Sequence, residues 1–595
     1  MKKRVAYLLK FYLLTVLLFI LAKVAFMICN ATDNPFAVGD VVDVVFHGIS
    51  LDLSTALYFF ILPFLVTIIS LWVTIPRWIY KAYNALISIA FSLAFVADTS
   101  LYPFWHFKLD ASCLQYLETP SDAMASVSIG YLLVRLVLLV LLIMLIWWSY
   151  AKINVNFRPA GHRTLTTLCS LLLIPLIVIG IRGGLDESTT NIGQVYFSQN
   201  QFLNHSAVNP VFSFLASFEK TASNIVDYDF YSQQECDRLM EDLYPVTSFD
   251  TDTLLSQKRP DIVIILMEGA GDLMADVMPR LQQLKREGVN FSNCYGNTWR
   301  TDRGTVCTFS GYPSFPTSSV MKMPSKTQHL PSIARTLQKV GYQTSYFYGG
   351  DINFTNMRSY LVGTGFEQLT WKKDFSAADQ ETSEWGVRDD IMFDAVFKKL
   401  TESHEKPQLI GFSTLSSHQP WDVPLQHIDE PVRNSFYYLD DCIGRFVDRL
   451  RQTPQWRQTL IILIPDHSID YGDINEYNQD RNRIPLVWCG GAVKGTKEIA
   501  QICNQTDLAA TLLSQLGLPH NDFRWSRDVL SSSYRYPLAV HNFNNGYSMI
   551  DSTGFMVYDL NVSQIVVNQS RDAQRLERLG KAVLQATTKD LKEMQ

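Results

Sequence analysis

Residues 261–268 read Asp-Ile-Val-Ile-Ile-Leu-Met-Glu, an apolar run that ends in a carboxylate. A second run of the same kind, residues 460–467, reads Leu-Ile-Ile-Leu-Ile-Pro-Asp-His. Continuous apolar runs of this length are typical of strands that are buried on both faces of a sheet. Because chemistry in parallel sheets gathers at the carboxyl ends of the strands, the two runs predict that Glu268, Asp466 and His467 share one site.

Strand-like and helix-like segments alternate from about residue 258 onward. This alternation predicts an α/β domain with a central, mostly parallel sheet and helices on both faces. The predicted strands are 261–267, 343–348, 408–413, 459–464 and 484–488, and the predicted helices are 275–287, 330–340, 388–403, 431–452 and 504–516. The β-rich stretch 536–568 predicts a small terminal sheet.

The first 185 residues contain five apolar stretches, and crossing a bilayer takes about 20 residues each. They lie at about 5–28, 52–74, 80–97, 129–149 and 164–182. We therefore predict a five-helix transmembrane bundle over 1–183, followed by a catalytic domain over 258–570 and a C-terminal helical tail over 571–595. The aromatic-rich segment 184–257 is predicted as a linker, which can lie at the membrane interface or pack on the soluble domain.

Basic residues near the spans predict the orientation of the bundle. They stand at the start of the first span, between the second and third spans, and between the fourth and fifth spans. The loops 29–51 and 98–128, by contrast, carry only Lys108. This asymmetry predicts a multi-pass membrane protein with a cytoplasmic N-terminus and an extracytoplasmic domain after the fifth span. The formal net charge of −6 gives no sign of a nucleic-acid partner.

Glu268, Asp466 and His467 offer two carboxylates and one imidazole, a ligand set that suits Mn²⁺, Zn²⁺ or Mg²⁺. A metal near Thr301 would lower the pKa of its hydroxyl and activate it for attack. Arg300 and Arg303 beside this threonine can bind phosphate oxygens. Simpler interpretations stay open at this point: a helix cap for Glu268 or Thr301, and a turn for the Asp-His pair.

The soluble part resembles the alkaline phosphatase and sulfatase superfamily. The whole arrangement, five spans and then this domain, resembles the lipoteichoic acid synthase family of membrane phosphoglycerol transferases. The residues that carry the resemblance are Met267-Glu268, Arg300-Thr301-Asp302, Trp385-Gly386-Val387-Arg388-Asp389, Ser417-His418-Gln419-Pro420-Trp421 and Pro465-Asp466-His467.

This resemblance implies roles for particular side chains. Glu268, Thr301, Asp466 and His467 would bind one divalent ion, with Mn²⁺ expected ahead of Mg²⁺ and Zn²⁺. Thr301 would be the nucleophile that forms a phosphoglyceryl-enzyme intermediate, and His418 would contact the substrate.

The chain also departs from the family pattern. Arg300 replaces the usual lysine and Gly269 the usual serine, and the loop 350–358 lacks the tryptophan expected in the phosphoglycerol site. Within this loop, Arg358 and Asp351 are the candidates for substrate contact.

The cysteines bear on the sulfatase alternative. Superfamily sulfatases need a cysteine in Cys-x-Pro-x-Arg, a pattern that neither Cys294 nor Cys307 shows. This argues against sulfate-ester hydrolysis. The two cysteines flank the Thr301 stretch, where they can form a disulfide or remain buried thiols.

We expect a membrane-bound, metal-dependent transferase that moves a phosphate-linked head group, phosphoglycerol first, from a phospholipid donor. The expected acceptor is a glycan or a lipid-linked sugar outside the cytoplasm. The alternatives are a phosphoethanolamine transferase, a hydrolase of phosphate or sulfate esters, and an inactive membrane module that binds a glycan or a protein. The intact set of Glu268, Thr301, Asp466 and His467 argues against the inactive module.

Overall fold

The computed structural model describes residues 2–111, 113–114, 129–153, 156–160, 162–221, 225–241, 243–244 and 250–594. By its internal contacts the chain divides into two compact units, Met1–Asn224 and Ile225–Gln595. The domain bounds drawn from the sequence, with 184–257 as a linker, stay a prediction.

The first unit is helical in the residues that the structure describes. Its helices are α1 (Lys2–Cys29), α2 (Val38–Ile69), α3 (Arg77–Trp105), α4 (Ile129–Ala151), α5 (Arg163–Leu171), α6 (Ile174–Arg182), α7 (Gln201–Ala207) and α8 (Pro210–Thr221). Five helical segments are long and apolar enough to cross a membrane, as predicted. The fifth segment, Arg163–Arg182, consists of the two helices α5 and α6.

The second helix begins at Val38, well before the predicted start at residue 52. Asp40, Asp43 and His47 interrupt the apolar pattern there and give residues 38–51 the appearance of a loop. In the structure, the Asp40 carboxylate accepts a hydrogen bond from the backbone N–H of Ala37 at 2.7 Å. This acidic residue therefore starts the helix, because it satisfies a backbone donor that has no partner within the helix.

The second unit is built around an eight-stranded sheet. Its strands are β1 (Asp261–Leu266), β2 (Val289–Phe291), β4 (Gln343–Tyr348), β5 (Gln368–Trp371), β6 (Gln408–Ser413), β7 (Thr459–Ile464), β8 (Leu486–Cys489) and β9 (Lys497–Ile499), and a separate pair joins β3 (Cys294–Tyr295) to β10 (Cys503–Asn504). The order is β5-β4-β6-β1-β7-β8-β2-β9. Strand β8 runs antiparallel to β7 and β2, while the other neighbouring pairs are parallel. The prediction of a mostly parallel central sheet is confirmed.

Helices lie on both faces of this sheet. The helices between residues 225 and 537 are α9 (Gln233–Glu241), α10 (Pro279–Glu287), α11 (Thr301–Ser310), α12 (Pro324–Thr327), α13 (Ile333–Lys339), α14 (Met357–Gly363), α15 (Ala377–Gln380), α16 (Asp389–Thr401), α17 (Pro431–Arg451), α18 (Gln479–Asn482) and α19 (Leu508–Gln515). Two large apolar clusters, one on each face, bury alternate residues of the central strand β1. This two-sided burial explains why the strand reads as a continuous apolar run.

Four antiparallel strands follow, β11 (Leu538–Phe543), β12 (Gly546–Asp551), β13 (Gly554–Asp559) and β14 (Gln564–Ser570). They form a small sheet of their own, in the stretch whose composition predicts one. The last helix, α20 (Ala573–Glu593), packs against this sheet, and the Tyr547 hydroxyl donates a hydrogen bond to the Glu577 carbonyl at 3.0 Å.

Helix α11 has no counterpart among the predicted helices. Gly304 and the β-branched residues Thr305, Val306 and Thr308 give it a low intrinsic helix propensity. All residues from Asp302 to Ser310 are buried. Tertiary packing rather than local sequence therefore stabilises this helix, which is why its sequence reads as a loop.

Candidate active site

The ends of two neighbouring strands carry the candidate ligands. Glu268 follows β1 by two residues, and Asp466 follows β7 by two residues. The two strands are parallel neighbours, with Leu266 opposite Ile464. The sheet therefore places the three side chains at one edge, as expected for strand ends that meet there.

Thr301 lies next to these ligands. Its hydroxyl donates a hydrogen bond to Glu268 Oε2 at 3.1 Å and lies 3.5 Å from His467 Nε2. The same imidazole nitrogen lies 3.4 Å from Glu268 Oε1 and 3.5 Å from Asp466 Oδ2. Four side chains from three separate stretches of sequence are thus brought within hydrogen-bonding or ionic contact.

Backbone groups orient the Asp-His pair. Asp466 Oδ1 accepts hydrogen bonds from the N–H of Gly269 at 3.0 Å and of His467 at 2.8 Å. Asp466 Oδ2 is buried and has no hydrogen-bond partner among the described residues. The Nδ1 of His467 lies 2.9 Å from the Ser468 carbonyl, so that Nε2 is the nitrogen facing the carboxylates.

The donor set fits a divalent metal ion. One ligand atom from each of Glu268, Asp466 and His467 lies within 4.8 Å of the others. The buried oxygen Oδ2 of Asp466 lacks a hydrogen-bond partner, and a carbonyl fixes the second nitrogen of His467, as is usual for metal-binding histidines. The arrangement therefore leaves Asp466 Oδ2 and His467 Nε2 available to bind the same ion.

The electrostatics are those of a buried site with excess negative charge. Burial, together with the charge of Glu268, raises the pKa of Asp466 above its usual range. Burial lowers the pKa of the His467 imidazole, but Asp466 and Glu268 overcome that effect and raise it. Burial raises the pKa of Glu268, yet its hydrogen bond to His467 and the charges of His467 and His418 lower it overall. Two carboxylates therefore compete for one imidazolium.

Thr301 is the first residue of α11, and Arg300 is the N-cap. The interpretation of Thr301 as an N-cap is therefore wrong, and its hydroxyl is free to contact Glu268. The 3₁₀ turn after Glu268 has Gly271 as its N-cap, so that Glu268 is not a cap either. Gly304 allows the close approach of α11, because a Cβ there would lie 1.9 Å from the Asp466 carbonyl oxygen.

The candidate substrate residue His418 lies beside this group. Ser417 Oγ donates to the Glu268 carbonyl at 2.6 Å, which fixes the loop next to the site. His418 Nδ1 lies 2.9 Å from the Gln419 carbonyl. The His418 ring lies 4.3 Å from the indole of Trp385, centroid to centroid.

Among the described residues, no hydrogen bond or ion pair joins the predicted arginines to the four central side chains. Arg300 is exposed. Arg303 is buried with its guanidinium 4.0 Å above the Trp299 ring, and burial lowers its pKa. Arg358 donates from Nε to Asn353 at 2.8 Å and lies over the Trp371 ring.

Asp351 shares the loop of Arg358. Its Oδ1 accepts a hydrogen bond from the N–H of Asn353 at 3.0 Å. The charges of Asp351, Glu268 and Asp466 all add to burial in raising the pKa of Tyr348. Asp351 therefore shares an electrostatic neighbour with the candidate ligands Glu268 and Asp466.

Three further residues support the site and were not among the predicted site residues. Thr414 Oγ1 accepts from the Glu268 N–H at 3.0 Å. Gln505 Nε2 donates to the carbonyls of Pro465 at 3.0 Å and Asp466 at 2.7 Å. Ser417 belongs to the stretch 417–421 that carries the family resemblance, so the sequence pointed to its neighbourhood. No motif in the sequence pointed to Thr414 or Gln505.

Both cysteines that flank Thr301 in sequence are free and buried. Cys294 is paired in strand register with Cys503 rather than with Cys307. Of the two possibilities left open by the sequence, the structure therefore has buried thiols.

The comparisons with known proteins agree with this fold. Residues 260–518 match the sulfatase family model. A solved protein of the alkaline phosphatase superfamily from Vibrio parahaemolyticus has 23% sequence identity and a TM-score of 0.54, over 61% of this chain and 98% of that chain. The second unit thus contains a domain that is similar to the sulfatase family model and has the alkaline phosphatase fold, which confirms the predicted resemblance.

Two curated relatives are similar in sequence. Phosphoglycerol transferase I of Xanthomonas campestris pv. campestris is 26% identical over 307 residues, which are 46% of this chain and 43% of that protein. Lipoteichoic acid synthase 2 of Bacillus subtilis (strain 168) is 24% identical over 301 residues, 45% of each chain. The match therefore spans less than half the length of these relatives.

Proposed function

We propose that this chain is a membrane-bound, metal-dependent enzyme that transfers phosphoglycerol from a phospholipid to an acceptor outside the cytoplasm. The observation that carries the proposal is the contact of the Thr301 hydroxyl with Glu268 and His467 at the N-terminus of α11. The name of one curated relative, phosphoglycerol transferase I, supports phosphoglycerol as the head group, and the five candidate membrane spans favour a lipid donor.

The proposed ligands of the metal are Glu268, Thr301, Asp466 and His467, with Mn²⁺ ahead of Mg²⁺ and Zn²⁺. A divalent ion bound there would lower the pKa of the threonine hydroxyl and neutralise charge on the phosphate. Asp466 Oδ2 and His467 Nε2 are the atoms best placed to hold it, since the other oxygen and nitrogen of these side chains already have partners.

The proposed reaction has two displacements. Thr301 Oγ attacks the phosphorus of the donor and loses its proton, while the bond from phosphorus to the diacylglycerol oxygen breaks and that oxygen gains a proton. In the second step, an acceptor hydroxyl attacks the phosphorus, gives up its proton and releases Thr301 Oγ, which is protonated again.

Other side chains have supporting roles in this proposal. His418 lies beside Glu268 and is proposed to protonate the leaving oxygen or to bind the phosphate. The N-terminus of α11 favours negative charge at Thr301. Arg300, Arg303, Arg358 and Asp351 are proposed to contact the head group once the donor is bound, the arginines through the phosphate and Asp351 through a hydroxyl.

The test uses the purified full-length protein in detergent with Mn²⁺. We would supply phosphatidylglycerol or phosphatidylethanolamine with fluorescent acyl chains and measure the release of diacylglycerol. The expected result is release from phosphatidylglycerol, together with a phosphoglycerol adduct on the Thr301 peptide in mass spectrometry. Release from phosphatidylethanolamine instead would replace phosphoglycerol with phosphoethanolamine, and cleavage of soluble aryl phosphates alone would favour a hydrolase.

We also propose that the N-terminus is cytoplasmic and that the sulfatase domain lies outside the cytoplasmic membrane of a bacterium. The distribution of lysine and arginine around the five candidate spans supports this orientation. Fusing a periplasmic reporter enzyme after the last span should give an active reporter, and an inactive one would contradict the orientation.

A further inference from the structure

Two buried cysteines lie opposite each other in the second unit. Cys294 belongs to β3 and Cys503 to β10, which run parallel as a separate pair of strands, and the two residues are register partners. Both side chains are fully buried in the same apolar cluster, and both thiols are free in this structure. Because register partners in neighbouring strands project to the same face of a sheet, the two thiols lie side by side.

Hydrogen bonds fix this register on both sides of the pair. The Cys503 N–H donates to the Asn293 carbonyl at 3.0 Å, and the Asn504 side-chain amide donates to the Tyr295 carbonyl at 2.8 Å. The strands are therefore held at the usual spacing of about 4.8 Å. A disulfide joins Cα atoms that lie ~4.4–6.8 Å apart, so the register meets its distance requirement.

The Cys503 thiol is the main influence on the thiol of Cys294. A hydrogen bond between the two raises the pKa of Cys294, and burial raises it further. By contrast, the thiol of Cys307, which is also buried, donates to Asn297 Oδ1 at 3.6 Å. Cys294 thus has a second thiol as its partner, whereas Cys307, its neighbour in sequence, has an amide oxygen.

The compartment decides the redox state of such a pair. Disulfides form and persist in oxidising compartments such as the bacterial periplasm, whereas the cytosol keeps thiols reduced. Thiols buried this deeply are out of reach of an oxidant once the domain has folded. The bond would therefore form before the strands are covered, and burial would then protect it from reductants.

We infer that Cys294 and Cys503 form a disulfide in the mature protein. This inference rests on the orientation given under the proposed function, since it requires the second unit to fold outside the cytoplasm. The Cys294 thiolate attacks a protein or small-molecule disulfide and releases one of its thiols. The Cys503 thiolate then attacks the Cys294 sulfur and releases the other, so that the pair loses two protons and two electrons and the donor disulfide becomes two thiols.

The bond would join two segments that support the candidate active site. Strand β3 precedes the stretch that carries Thr301, and Cys503 precedes Gln505 by two residues. The Gln505 amide donates to the carbonyls of Pro465 and Asp466. The disulfide would therefore tie the segment of the proposed nucleophile to the segment that holds a proposed metal ligand, and it takes no part in the displacements at phosphorus.

The test uses the full-length protein taken from membranes and denatured in N-ethylmaleimide, which blocks every free thiol. After proteolysis without reductant, mass spectrometry should find the Cys294 and Cys503 peptides linked to each other, and Cys307 and Cys489 alkylated. Alkylation of both Cys294 and Cys503 would overturn the inference. An active reporter fused after the last span would then show that the disulfide alone is wrong, whereas an inactive one would trace the failure to the orientation.

A pair of variants adds a second measurement. Cys503→Ser removes the link, and Cys489→Ser is its matched control, because it also replaces a buried thiol by a hydroxyl. Thermal unfolding of Cys503→Ser should begin several degrees below that of the control, since the link restricts the unfolded chain. Equal unfolding temperatures would overturn the inference. Diacylglycerol release is measured on the same preparations, so that a failure of the proposed reaction is seen separately.

Discussion

Both units of this protein bury charged side chains, but the candidate active site of the second unit compensates them differently from the buried ion pairs of the first. In the membrane unit, Lys23 lies 2.5 Å from Asp52, and Lys108 contacts Asp98, all four side chains being at most 1% exposed. Asn209 adds a hydrogen bond to Asp52 at 2.9 Å. In the candidate active site, by contrast, the two carboxylates of Glu268 and Asp466 share the single imidazole of His467.

The difference indicates what each group does. An isolated buried charge is very unfavourable, and a buried pair is tolerated when its partner and its hydrogen bonds are present. In each of the two lysine–aspartate pairs of the membrane unit, Met1–Asn224, the opposite charges neutralise each other. The candidate active site carries one more carboxylate than it has cations, an imbalance that a divalent ion bound there would offset.

The largest effect is expected for Thr301→Ala. Loss of the proposed nucleophile should reduce diacylglycerol release by ~10⁴-fold or more, since no other group replaces it in the first displacement. The metal content, measured by elemental analysis, should stay close to that of the wild type, because the charge imbalance belongs to Glu268 and Asp466. Turnover at the wild-type rate would disprove the mechanism.

Lys23→Met should cause the largest loss of stability. It leaves Asp52 buried without its cation, and breaking one side of a buried pair costs about 3–5 kcal/mol in the free energy of unfolding. Thermal unfolding of the detergent-solubilised protein should therefore begin at a clearly lower temperature, or little folded protein should be recovered.

The control for this variant is Lys23→Met/Asp52→Leu, which removes both charges together. We expect it to recover much of the lost stability, because an apolar pair needs no compensation. If the double variant is as unstable as the single one, the pair is not self-compensating and the comparison between the two units fails.

Asp466→Asn, unlike Lys23→Met, should not lower the stability of the metal-free protein. An asparagine oxygen can still accept from the N–H groups of Gly269 and His467, while one buried negative charge disappears. Metal affinity should fall on the order of 100-fold or more, yet the metal-free protein should be no less stable than the wild type. Asp52→Asn, its counterpart in the membrane unit, should be destabilised.

The sequence predicted those parts of the molecule that depend on a continuous apolar pattern. The strands before Glu268 and Asp466 are buried on both faces, and their ends follow directly from that pattern. Span two was misplaced at its start, because Asp40 and Asp43 hid the first turns of the helix. Helix α11 was missed for the reason that its stability comes from packing.

The contacts around the ligands were less predictable. Nothing in the local sequence marks Gln505 as the donor to the Pro465 and Asp466 carbonyls, because the contact joins segments that are distant in the chain. Similarly, Arg303 does not contact Thr301, although it is near in sequence, and its guanidinium lies over the Trp299 ring instead. A side chain at a helix N-terminus can take several directions, which sequence spacing does not determine.

A smaller effect is expected for pH in protein treated with a chelator. The pKa of Asp466 is raised to about 7 and that of His467 to about 9. Both groups bind protons more readily in the folded state, so the free energy of unfolding should fall as pH rises from about 5 to about 9. Bound metal requires the deprotonated ligands, and adding Mn²⁺ should weaken or reverse this slope. A flat profile without metal would contradict the charge imbalance.

Gln505→Leu is expected to have the smallest of these effects. Gln505 carries no charge, and its amide fixes the backbone of Pro465 and Asp466 while its oxygen accepts from the Asn297 N–H at 3.1 Å. The variant leaves buried carbonyls unsatisfied, which costs about 1–3 kcal/mol of stability. The slight displacement of Asp466 should lower the turnover number ~10-fold while the KM for phosphatidylglycerol changes little, because the residue positions a ligand and does not touch the lipid.

Gln505→Glu is the informative companion: it keeps the shape but loses the donors, and it adds a third carboxylate near the site. If charge balance governs this region as we argue, Gln505→Glu should be more destabilised than Gln505→Leu in the absence of metal, and equal stabilities would show that packing alone decides.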